Sequence, residues 1–181
     1  MIKLGLVGEG IAKSQSPDLH ERLGASLGVA VRYDLVDSLG IADFDFACAI
    51  QTLRAEGYRG TNVTFPFKEK AAKLADICGE GVQRVGTANT LLFDEQGLRA
   101  ENTDYTGFIS AYRHSFGSQP AGDVLLIGAG GVGRAVACAL GELSAHCIHI
   151  LERDEQRADT LCRDLNAMGI AAECVSAEQA Q

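Results

Sequence analysis

The chain has 181 residues, enough for one large domain or two small ones, and its 46% hydrophobic and 22% charged residues exclude a disordered protein. Its 24 Asp and Glu outnumber its 16 Lys and Arg, and the formal charge of −8 disfavours a nucleic-acid or membrane-surface partner. No apolar run is long enough to span a membrane, and the start is too short and glycine-broken for a signal peptide, so we expect a cytoplasmic protein.

Six cysteines are scattered through apolar stretches and form no CxxC pair, which predicts reduced thiols in the core. A metal site built on His146 and His149 is the alternative. Both histidines lie in a strand-like run, where residues three apart point to opposite faces, so we expect no metal site.

Short runs rich in Val, Ile and Leu alternate with stretches whose apolar residues recur three and four positions apart. This alternation is typical of βα units around a mainly parallel sheet, so we predict an α/β fold. The segment 94–97 lies between two apolar runs and predicts a hairpin turn, the one antiparallel feature expected. The predicted strands are residues 2–7, 31–37, 60–64, 88–93, 98–102, 123–127 and 147–151, with 171–175 as a further candidate.

A change of domain is predicted after the hairpin. Residues 105–116 have helical spacing, and the Gly, Ser, Gln and Pro of residues 117–122 are typical of a linker. We therefore divide the chain into a first domain over residues 1–104, a connecting helix and linker over 105–122, and a second domain over 123–181.

A glycine-rich turn connects the strand at 123–127 to a helix predicted at 134–143. Gly128, Gly130 and Gly133 have the G-x-G-x-x-G spacing, which permits a tight turn, close approach of a pyrophosphate and close packing of helix on strand. Free N–H groups and the positive end of the helix dipole would face the phosphates. A glycine-rich turn without a ligand is the alternative, but the order strand, turn and helix favours a dinucleotide site.

Glu152 ends the next predicted strand about 20 residues after this turn, where an acid meets the adenosine ribose in such folds. Its carboxylate would accept a hydrogen bond from a ribose 2′-hydroxyl and repel a 2′-phosphate. Arg153 could instead pair with that phosphate. The sequence therefore favours NAD and leaves NADP open.

Polar residues follow several strands of the first hundred residues, at the ends where α/β folds place their ligands. Ser14 and Ser16 lie two residues apart in the loop after the first strand, within reach of one carboxylate or polyol. The alternative is that Ser16 caps the following helix, with Pro17 at its first position, and local evidence alone favours this cap.

Further polar residues follow the third strand. Asn62, Thr64 and Lys68 are expected near the carboxyl edge of the sheet, and Lys68 would stand at a helix start, the unfavourable end for a cation. That placement hints at function. Segments 86–90 and 101–104 add amide, hydroxyl and carboxylate groups beside apolar strands, although each alone is more often turn or capping chemistry.

Five motifs occur along the chain in the order S-x-S-P, N-V-T-F-P-F-K, G-T-A-N-T, N-T-D and G-A-G-G-V-G. Together they resemble the shikimate dehydrogenase family, which includes the quinate/shikimate dehydrogenases, from residue 4 to about residue 164. The resemblance implies reversible reduction of 3-dehydroshikimate to shikimate with NADPH or NADH, or oxidation of quinate. It also implies an N-terminal substrate-binding and catalytic domain followed by a Rossmann domain, with the active site in the cleft between them.

The substrate-binding residues that the resemblance implies are Ser14, Ser16, Thr64, Asn89 and Asp104. The two serines would hold the substrate carboxylate, the threonine would line the same pocket, and the last two residues would bind ring hydroxyls. Lys68 would be the catalytic acid/base, paired with Asp104. An ammonium suits this role because hydride transfer to a ketone builds negative charge on its oxygen, which the ammonium stabilises and protonates.

The implied cofactor-binding residues are Gly128, Ala129, Gly130, Gly131, Val132, Gly133, Glu152 and Arg153, with Glu80 placed near the nicotinamide side. Three positions depart from the family pattern. Lys13 replaces a common His and adds positive charge near the substrate carboxylate. The sequence Glu-Arg-Asp at 152–154 replaces the Asn-Arg-Thr of many NADP-dependent members, which favours NAD. Ser16 replaces the Thr of many quinate-active members, which favours shikimate.

About 60 residues follow position 123, room for half of a six-stranded Rossmann sheet, so we expect a fragment of a longer protein. The leading hypothesis is a shikimate dehydrogenase with a small-molecule substrate. Quinate dehydrogenase of the same family and a non-catalytic module that binds shikimate or dinucleotide are the alternatives. A folate-linked dehydrogenase would share the glycine-rich turn but not S-x-S-P or N-V-T-F-P-F-K. The sequence does not indicate the oligomeric state.

Overall fold

A computed structural model describes residues 1–179, and the chain forms two compact units, Met1–Asn102 and Thr103–Gln181. Both units consist of a β-sheet with helices, which confirms the α/β fold class. The last two residues of the predicted domain over 123–181 lie outside the described residues. Within residues 1–179, no helix is both long enough and apolar enough to cross a membrane.

The first unit contains a six-stranded sheet with four helices. Its elements are β1 (Ile2–Gly8), α1 (Ser16–Ser26), β2 (Val31–Asp37), α2 (Phe46–Ala55), β3 (Gly60–Val63), α3 (Lys68–Leu74), β4 (Ile77–Cys78), α4 (Glu80–Val85), β5 (Thr90–Asp94) and β6 (Gly97–Glu101). The predicted strands of this unit are confirmed to within two residues at their ends. The two-residue β4 was not predicted, because it is too short to show an alternating pattern.

The strand order of this sheet is β2-β1-β3-β5-β6-β4. Strand β1 pairs in parallel with β2 and with β3, and Leu4 stands opposite Tyr33 on one side and Gly60 on the other. The predicted hairpin is confirmed, because β5 and β6 pair antiparallel with Asp94 opposite Gly97. The chain passes from β1 to β2 on one side and then to β3 on the other. The carboxyl ends of β1 and β3 therefore form the switch point where α/β sheets bind ligands.

The hairpin is not the one antiparallel feature, since β3 and β5 also pair antiparallel. The expectation was wrong because α4 has only six residues, about 9 Å of helix, and does not carry the chain back along the sheet for another parallel strand. The strand that follows α4, β5, instead runs beside β3 in the opposite direction. Strand β4 pairs in parallel with β6 at the far edge.

An aromatic cluster fixes the start of α3 to the core of the first unit. Phe67 is 5% exposed, and its ring stacks on Phe46 with centroids 5.0 Å apart and tilts against Phe44 at 5.3 Å. Phe65, two residues earlier, is exposed. The second Phe of N-V-T-F-P-F-K is therefore a packing residue that holds the first turn of α3 in place.

As far as residue 179, the second unit contains a three-stranded parallel sheet in the order β7-β8-β9, with three helices. Its elements are α5 (Thr103–Phe116), β7 (Gly122–Ile127), α6 (Gly131–Glu142), β8 (Ala145–Leu151), α7 (Glu155–Ala167) and β9 (Ala172–Cys174). The predicted strands are confirmed, including the candidate at 171–175. Ile148 and Ile150 of β8 are fully buried, as is Leu165 of α7.

All six cysteines are free thiols, of which two are buried, two are partly buried and two are exposed. Cys138 and Cys162 are buried, whereas Cys48 and Cys174 are exposed. The prediction of core thiols was therefore wrong for those two. Cys48 lies on the outer side of the amphipathic helix α2, and Cys174 ends the short strand β9 at an edge of the sheet as described.

Candidate functional site

The carboxyl ends of β1 and β3 hold two loops together. Thr64 N–H donates a hydrogen bond to the Val7 carbonyl at 3.0 Å. Glu9 N–H donates to the Phe65 carbonyl at 2.9 Å. A Cβ at Gly8 would collide with Cγ2 of Thr64, so a glycine at this position lets the threonine side chain lie against β1. The loop after β1, which contains Ser14 and Ser16, and the loop after β3, which leads to Lys68, therefore begin side by side.

Asp37, at the end of β2, fastens the loop that follows β1. Its Oδ1 accepts hydrogen bonds from Leu39 N–H at 3.0 Å and from Gly10 N–H at 2.8 Å. Its Oδ2 accepts one from Ile11 N–H at 2.9 Å. These N–H donors, Leu39 first, hold the pKa of Asp37 below its usual range because they favour the ionised carboxylate. Sequence reasoning missed this residue, whose one signal was its place at a strand end.

Ser14 and Ser16 lie together in this loop. The Ser14 hydroxyl donates to Ser16 Oγ at 3.1 Å and accepts from Ser16 N–H at 3.2 Å. The alternative role of Ser16 as a helix cap is wrong. Helix α1 begins at Ser16 itself, so the capping position falls on Gln15, whose side chain makes no cap hydrogen bond. Pro17 does lie in the first turn, as expected.

A series of hydrogen bonds, here called the polar network, crosses the sheet near these serines. The Tyr33 hydroxyl donates to Asn62 Oδ1 at 2.8 Å, and the Asn62 amide donates to Thr90 Oγ1 at 3.1 Å. The Thr90 hydroxyl donates to Asn89 Oδ1 at 3.0 Å. Side chains from β2, β3 and β5 are thereby linked, so Asn89 of the predicted substrate set is held in a defined orientation.

Tyr33 connects the polar network to the serine pair. Its ring stacks on His20 with centroids 4.5 Å apart, and His20 Nδ1 lies 2.9 Å from the Ser16 carbonyl oxygen. Burial raises the pKa of Tyr33 to about 12, against a smaller lowering by a hydrogen bond with the Ser16 side chain. Tyr33 is therefore a neutral hydroxyl at pH 7. Sequence analysis gave neither aromatic residue a role, because a Tyr in a strand and a His in a helix fit ordinary packing.

Lys68 is the first residue of α3, as predicted, and its side chain is half-buried. Ala88 N–H donates to the Lys68 carbonyl at 2.9 Å, which ties the start of the helix to the G-T-A-N-T segment. Thr64, also half-buried, lies four residues earlier in the same loop. The cis peptide bond Phe65–Pro66 lies between them. Thr64 and Lys68 thus follow the carboxyl end of β3, and Asn89 precedes β5 beside it.

The N-T-D motif is divided between the two units. Asn102 is buried, and its amide donates to the Thr87 carbonyl at 2.9 Å and to the Thr87 hydroxyl at 3.1 Å. This pair ties the end of the first unit to the G-T-A-N-T segment. Asp104 lies in the first turn of α5, in the second unit. Its pairing with Lys68 remains a prediction.

Glu80 lies in the first turn of α4 in the first unit and is exposed. Its carboxylate pairs with Arg84 one turn later, with Nε and Oε1 3.2 Å apart. This pair fits an ordinary helix-surface interaction. Its predicted place near the nicotinamide therefore still rests on the family resemblance.

The glycine-rich turn follows β7 with the geometry that its spacing predicts. Gly128 has a φ of +99°, which a side chain would disfavour. Gly130 precedes the first turn of α6. A Cβ at Gly133 would collide with the Gly128 carbonyl oxygen, so the helix lies directly against the turn. Gly131 and Val132 are exposed at the start of α6, whose positive end can face an anion.

Glu152 reaches back from the end of β8 to this turn. Its Oε2 accepts a hydrogen bond from Ala129 N–H at 2.7 Å, and its Oε1 accepts from Arg153 N–H at 2.7 Å and Asp154 N–H at 3.2 Å. These bonds, Ala129 first, hold the pKa of Glu152 below its usual range. The Arg153 side chain is exposed. An ionised carboxylate therefore stands beside the N–H groups of the turn.

An open cavity of about 900 Å³ lies beside Glu152, within the second unit. Gly128, Arg153 and Cys174 contribute to its lining, together with residues that follow β9. Its position at the carboxyl ends of parallel strands is the usual place of a nucleotide in such folds. Residues of the turn, of β8 and of β9 thus form one lining.

A different group of side chains lies on β8 and β9. Ligand atoms of Cys147, His149 and Glu173 all lie within 4.8 Å of one another, and His149 Nδ1 is 2.8 Å from Glu173 Oε1. The sequence analysis considered His149 only with His146, because the pairing of β8 with β9 that brings Glu173 beside it is a property of the sheet. The hydrogen-bond contact between His149 and Glu173 accounts for two of these three groups.

Comparison with known proteins agrees with this geometry. A family model described as the shikimate dehydrogenase substrate binding domain matches residues 6–91. The chain is 36% identical over 173 residues to shikimate dehydrogenase (NADP(+)) of Acidiphilium cryptum, an alignment that covers 96% of this chain and 61% of that protein. The chain spans about three-fifths of the length of the curated relatives it matches.

Several solved structures are similar to this chain over nearly its whole length. Quinate dehydrogenase from Corynebacterium glutamicum in complex with NAD matches with a TM-score of 0.87 and 31% identity, covering 98% of this chain and 64% of that one. Shikimate 5-dehydrogenase from Thermus thermophilus, in complex with NADP(H) and shikimate, matches with a TM-score of 0.79 and 31% identity, covering 98% and 68%. These matches show that the chain belongs to the shikimate dehydrogenase family.

Proposed function

We propose that the protein is a shikimate dehydrogenase, which transfers hydride reversibly between a nicotinamide and 3-dehydroshikimate or shikimate. The observation that carries this proposal is the polar network together with the serine pair, at the switch point of the first sheet. It offers hydroxyl and amide groups in fixed orientations. A small ligand with one carboxylate and several hydroxyls needs such groups.

Ser14 and Ser16 are proposed to bind the substrate carboxylate. Their oxygens lie 3.1 Å apart, a spacing that suits the two oxygens of one carboxylate, and the fastening of the loop by Asp37 fixes both. Thr64 is proposed to line the same pocket, since it follows the neighbouring strand. Asn89, oriented by the polar network, is proposed to bind a ring hydroxyl.

Lys68 is proposed as the acid/base of the reaction. Its ammonium would hydrogen-bond the ketone oxygen, stabilise the negative charge that develops there, and donate the proton that completes the alcohol. In the reverse direction the neutral amine would accept that proton. Asp104 is proposed to bind a second ring hydroxyl and to pair with Lys68. This proposal rests on the N-T-D motif alone.

The second unit is proposed to bind the dinucleotide, which supplies or accepts the hydride when bound. The residues fit such a group: the turn places Gly128 and Gly130 before the N-terminus of α6, and Gly133 keeps the helix close. Glu152 is proposed to hold the ribose 2′-hydroxyl. NAD is favoured over NADP, because an ionised Glu152 would repel a 2′-phosphate, while Arg153 is the group that would favour NADP.

The first test is steady-state oxidation of shikimate and of quinate, each with NAD and with NADP, measured on this chain and on the full product of its gene. We expect turnover of shikimate with NAD in the full product. Faster turnover of quinate than of shikimate would show that the protein is instead a quinate dehydrogenase of the same family. Binding of shikimate by calorimetry without any turnover would support a non-catalytic module instead.

The cofactor preference has its own variant. Glu152→Ser removes the carboxylate and keeps a hydroxyl, so we expect the ratio of kcat/KM for NAD to that for NADP to fall by about tenfold. Asp123→Ser, an exposed acid at the start of β7 and therefore at the opposite end of that strand from the glycine-rich turn, is the control and should leave the ratio close to that of the parent. Better use of NADP than of NAD by the unmutated protein would show that this role of Glu152 is wrong.

A further inference from the structure

Two of the free thiols lie in contact within the second unit. The Sγ atoms of Cys162 in α7 and Cys174 in β9 are 2.8 Å apart. Cys174 pairs in register with Ile150, which is fully buried on the sheet face covered by helix. Alternation along the strand therefore directs Cys174 towards α7, while its neighbour Glu173 lies on the other face with His149.

The connection between the two elements holds this contact in place. The Asn166 side chain donates to the Ala172 carbonyl at 2.8 Å and accepts from Ala172 N–H at 3.2 Å, and Ile170 N–H donates to the Leu165 carbonyl at 2.9 Å. A disulfide bond is about 2.05 Å long, so the two sulfur atoms need to approach by less than about 1 Å. The hydrogen bonds already hold the chain between the two cysteines in a closed loop.

The two thiols differ in access. Cys174 is exposed, whereas Cys162 is 8% exposed. Burial, and then the contact with Cys174, raise the pKa of Cys162 to about 12. An external reagent therefore meets Cys174 first, and Cys162 is positioned to react with whatever forms on it.

We propose that Cys162 and Cys174 form a reversible disulfide by exchange with a low-molecular-weight disulfide. The Cys174 thiolate attacks one sulfur of that disulfide, forms a mixed disulfide and releases one thiolate. The Cys162 sulfur then loses its proton to solvent, attacks Cys174 Sγ and releases the second thiolate. Two protein thiols are oxidised, and one external disulfide is reduced to two thiols. The reverse exchange with excess thiol restores the starting state.

This disulfide would change the cavity beside Glu152. Cys174 lines that cavity, and its thiol donates to Asp159 Oδ1 at 3.6 Å, another lining residue. Oxidation removes this hydrogen-bond donor. The Asp159 carboxylate, which lines the cavity, then has one donor fewer to offset its negative charge. If the cavity binds the dinucleotide, which rests on the proposed function, oxidation should weaken binding of that anion by about two- to fivefold.

The bond itself is tested by mass spectrometry of the reduced, native protein after incubation with oxidised glutathione. We expect a mass decrease of about 2 Da and, after trypsin, a cross-linked peptide pair that contains Cys162 and Cys174, which Arg163 separates. Cys162→Ser and Cys174→Ser should each abolish that pair. Cys48→Ser, at another exposed cysteine, should retain it. A stable glutathione adduct on Cys174 without the cross-link, or cross-links to other cysteines, would overturn the proposal.

The consequence for the cavity is tested by calorimetric titration of NAD into the reduced and the oxidised protein. A higher Kd after oxidation, reversed by dithiothreitol and absent in Cys162→Ser, supports the coupling, and an unchanged Kd overturns it. Cross-linking in a protein that binds NAD in neither state would contradict the proposed dinucleotide site and leave the disulfide standing. Binding of NAD without cross-linking would contradict the disulfide and leave the proposed dinucleotide site standing.

Discussion

The two candidate regions of this molecule are built from different parts of the chain. In the second unit, consecutive residues 128–133 form the turn, and their main feature is a glycine backbone at a helix start. In the first unit, the serine pair and the polar network bring side chains from four separate segments to one sheet. A site made of backbone depends on glycines and local geometry, whereas a site made of side chains depends on the topology that gathers them.

The largest expected effect separates chemistry from binding in the first unit. Lys68→Ala should lower kcat for shikimate oxidation by about 10²- to 10⁴-fold, because it removes the proposed proton donor, while the Kd of shikimate changes little. Lys73→Ala, in the last turn of the same helix and exposed, should leave kcat near that of the parent. An unchanged kcat in Lys68→Ala would remove this residue from the mechanism.

A backbone change should damage only the second unit. Gly133→Ala places a methyl group against the Gly128 carbonyl oxygen, which neither backbone can avoid without moving, so we expect NAD binding to weaken by about tenfold or more. Gly107→Ala, in α5 with open space around its Cβ position, is the matched control and should bind NAD normally. Loss of shikimate binding in Gly133→Ala would show that the two regions are not independent.

The sequence predicted these regions to different depths. The glycine-rich turn was predicted almost completely, because all its determinants are neighbours in the chain. For the first unit, the sequence predicted that Ser14 lies in the loop after the first strand and Lys68 at a helix start, and the structure has both there, but Tyr33 and Asp37 were missed. Each is a single residue in a strand of ordinary composition, and its importance arises from a partner on another element. The antiparallel pairing of β3 with β5 was missed for a different reason, the shortness of α4.

Tyr33 gives a smaller and more specific test of the side-chain region. Tyr33→Phe keeps the ring on His20 but removes the hydroxyl that donates to Asn62 Oδ1. We expect the binding free energy of shikimate to weaken by about 1 kcal/mol, which raises its Kd about fivefold. Tyr112→Phe removes a similar hydroxyl donor, which bonds the Pro120 carbonyl in the second unit, and should leave that Kd unchanged. Equal changes of the shikimate Kd in the two variants would show that the polar network does not contribute to shikimate binding.

Asp37 gives the smallest effect and adds a pH dependence. Its pKa is lowered in the folded protein, so the stabilisation is fully present above the unfolded pKa near 4 and is lost as pH falls through the folded value. At pH 7, Asp37→Asn should therefore lower the hydrogen-exchange protection of the Gly10, Ile11 and Leu39 amides.

The two proteins should converge as the pH falls below 3.8 and the Asp37 carboxyl of the parent becomes protonated. Asp18→Asn, an exposed acid paired with Arg22 on α1, is the control and should leave those three amides as protected as in the parent at every pH. Protection that differs equally at pH 7 and at low pH would mean that Asp37 acts through its shape rather than its charge. The loop with Ser14 would then be held by packing, and the contrast with the glycine-rich turn would be smaller than the hydrogen bonds indicate.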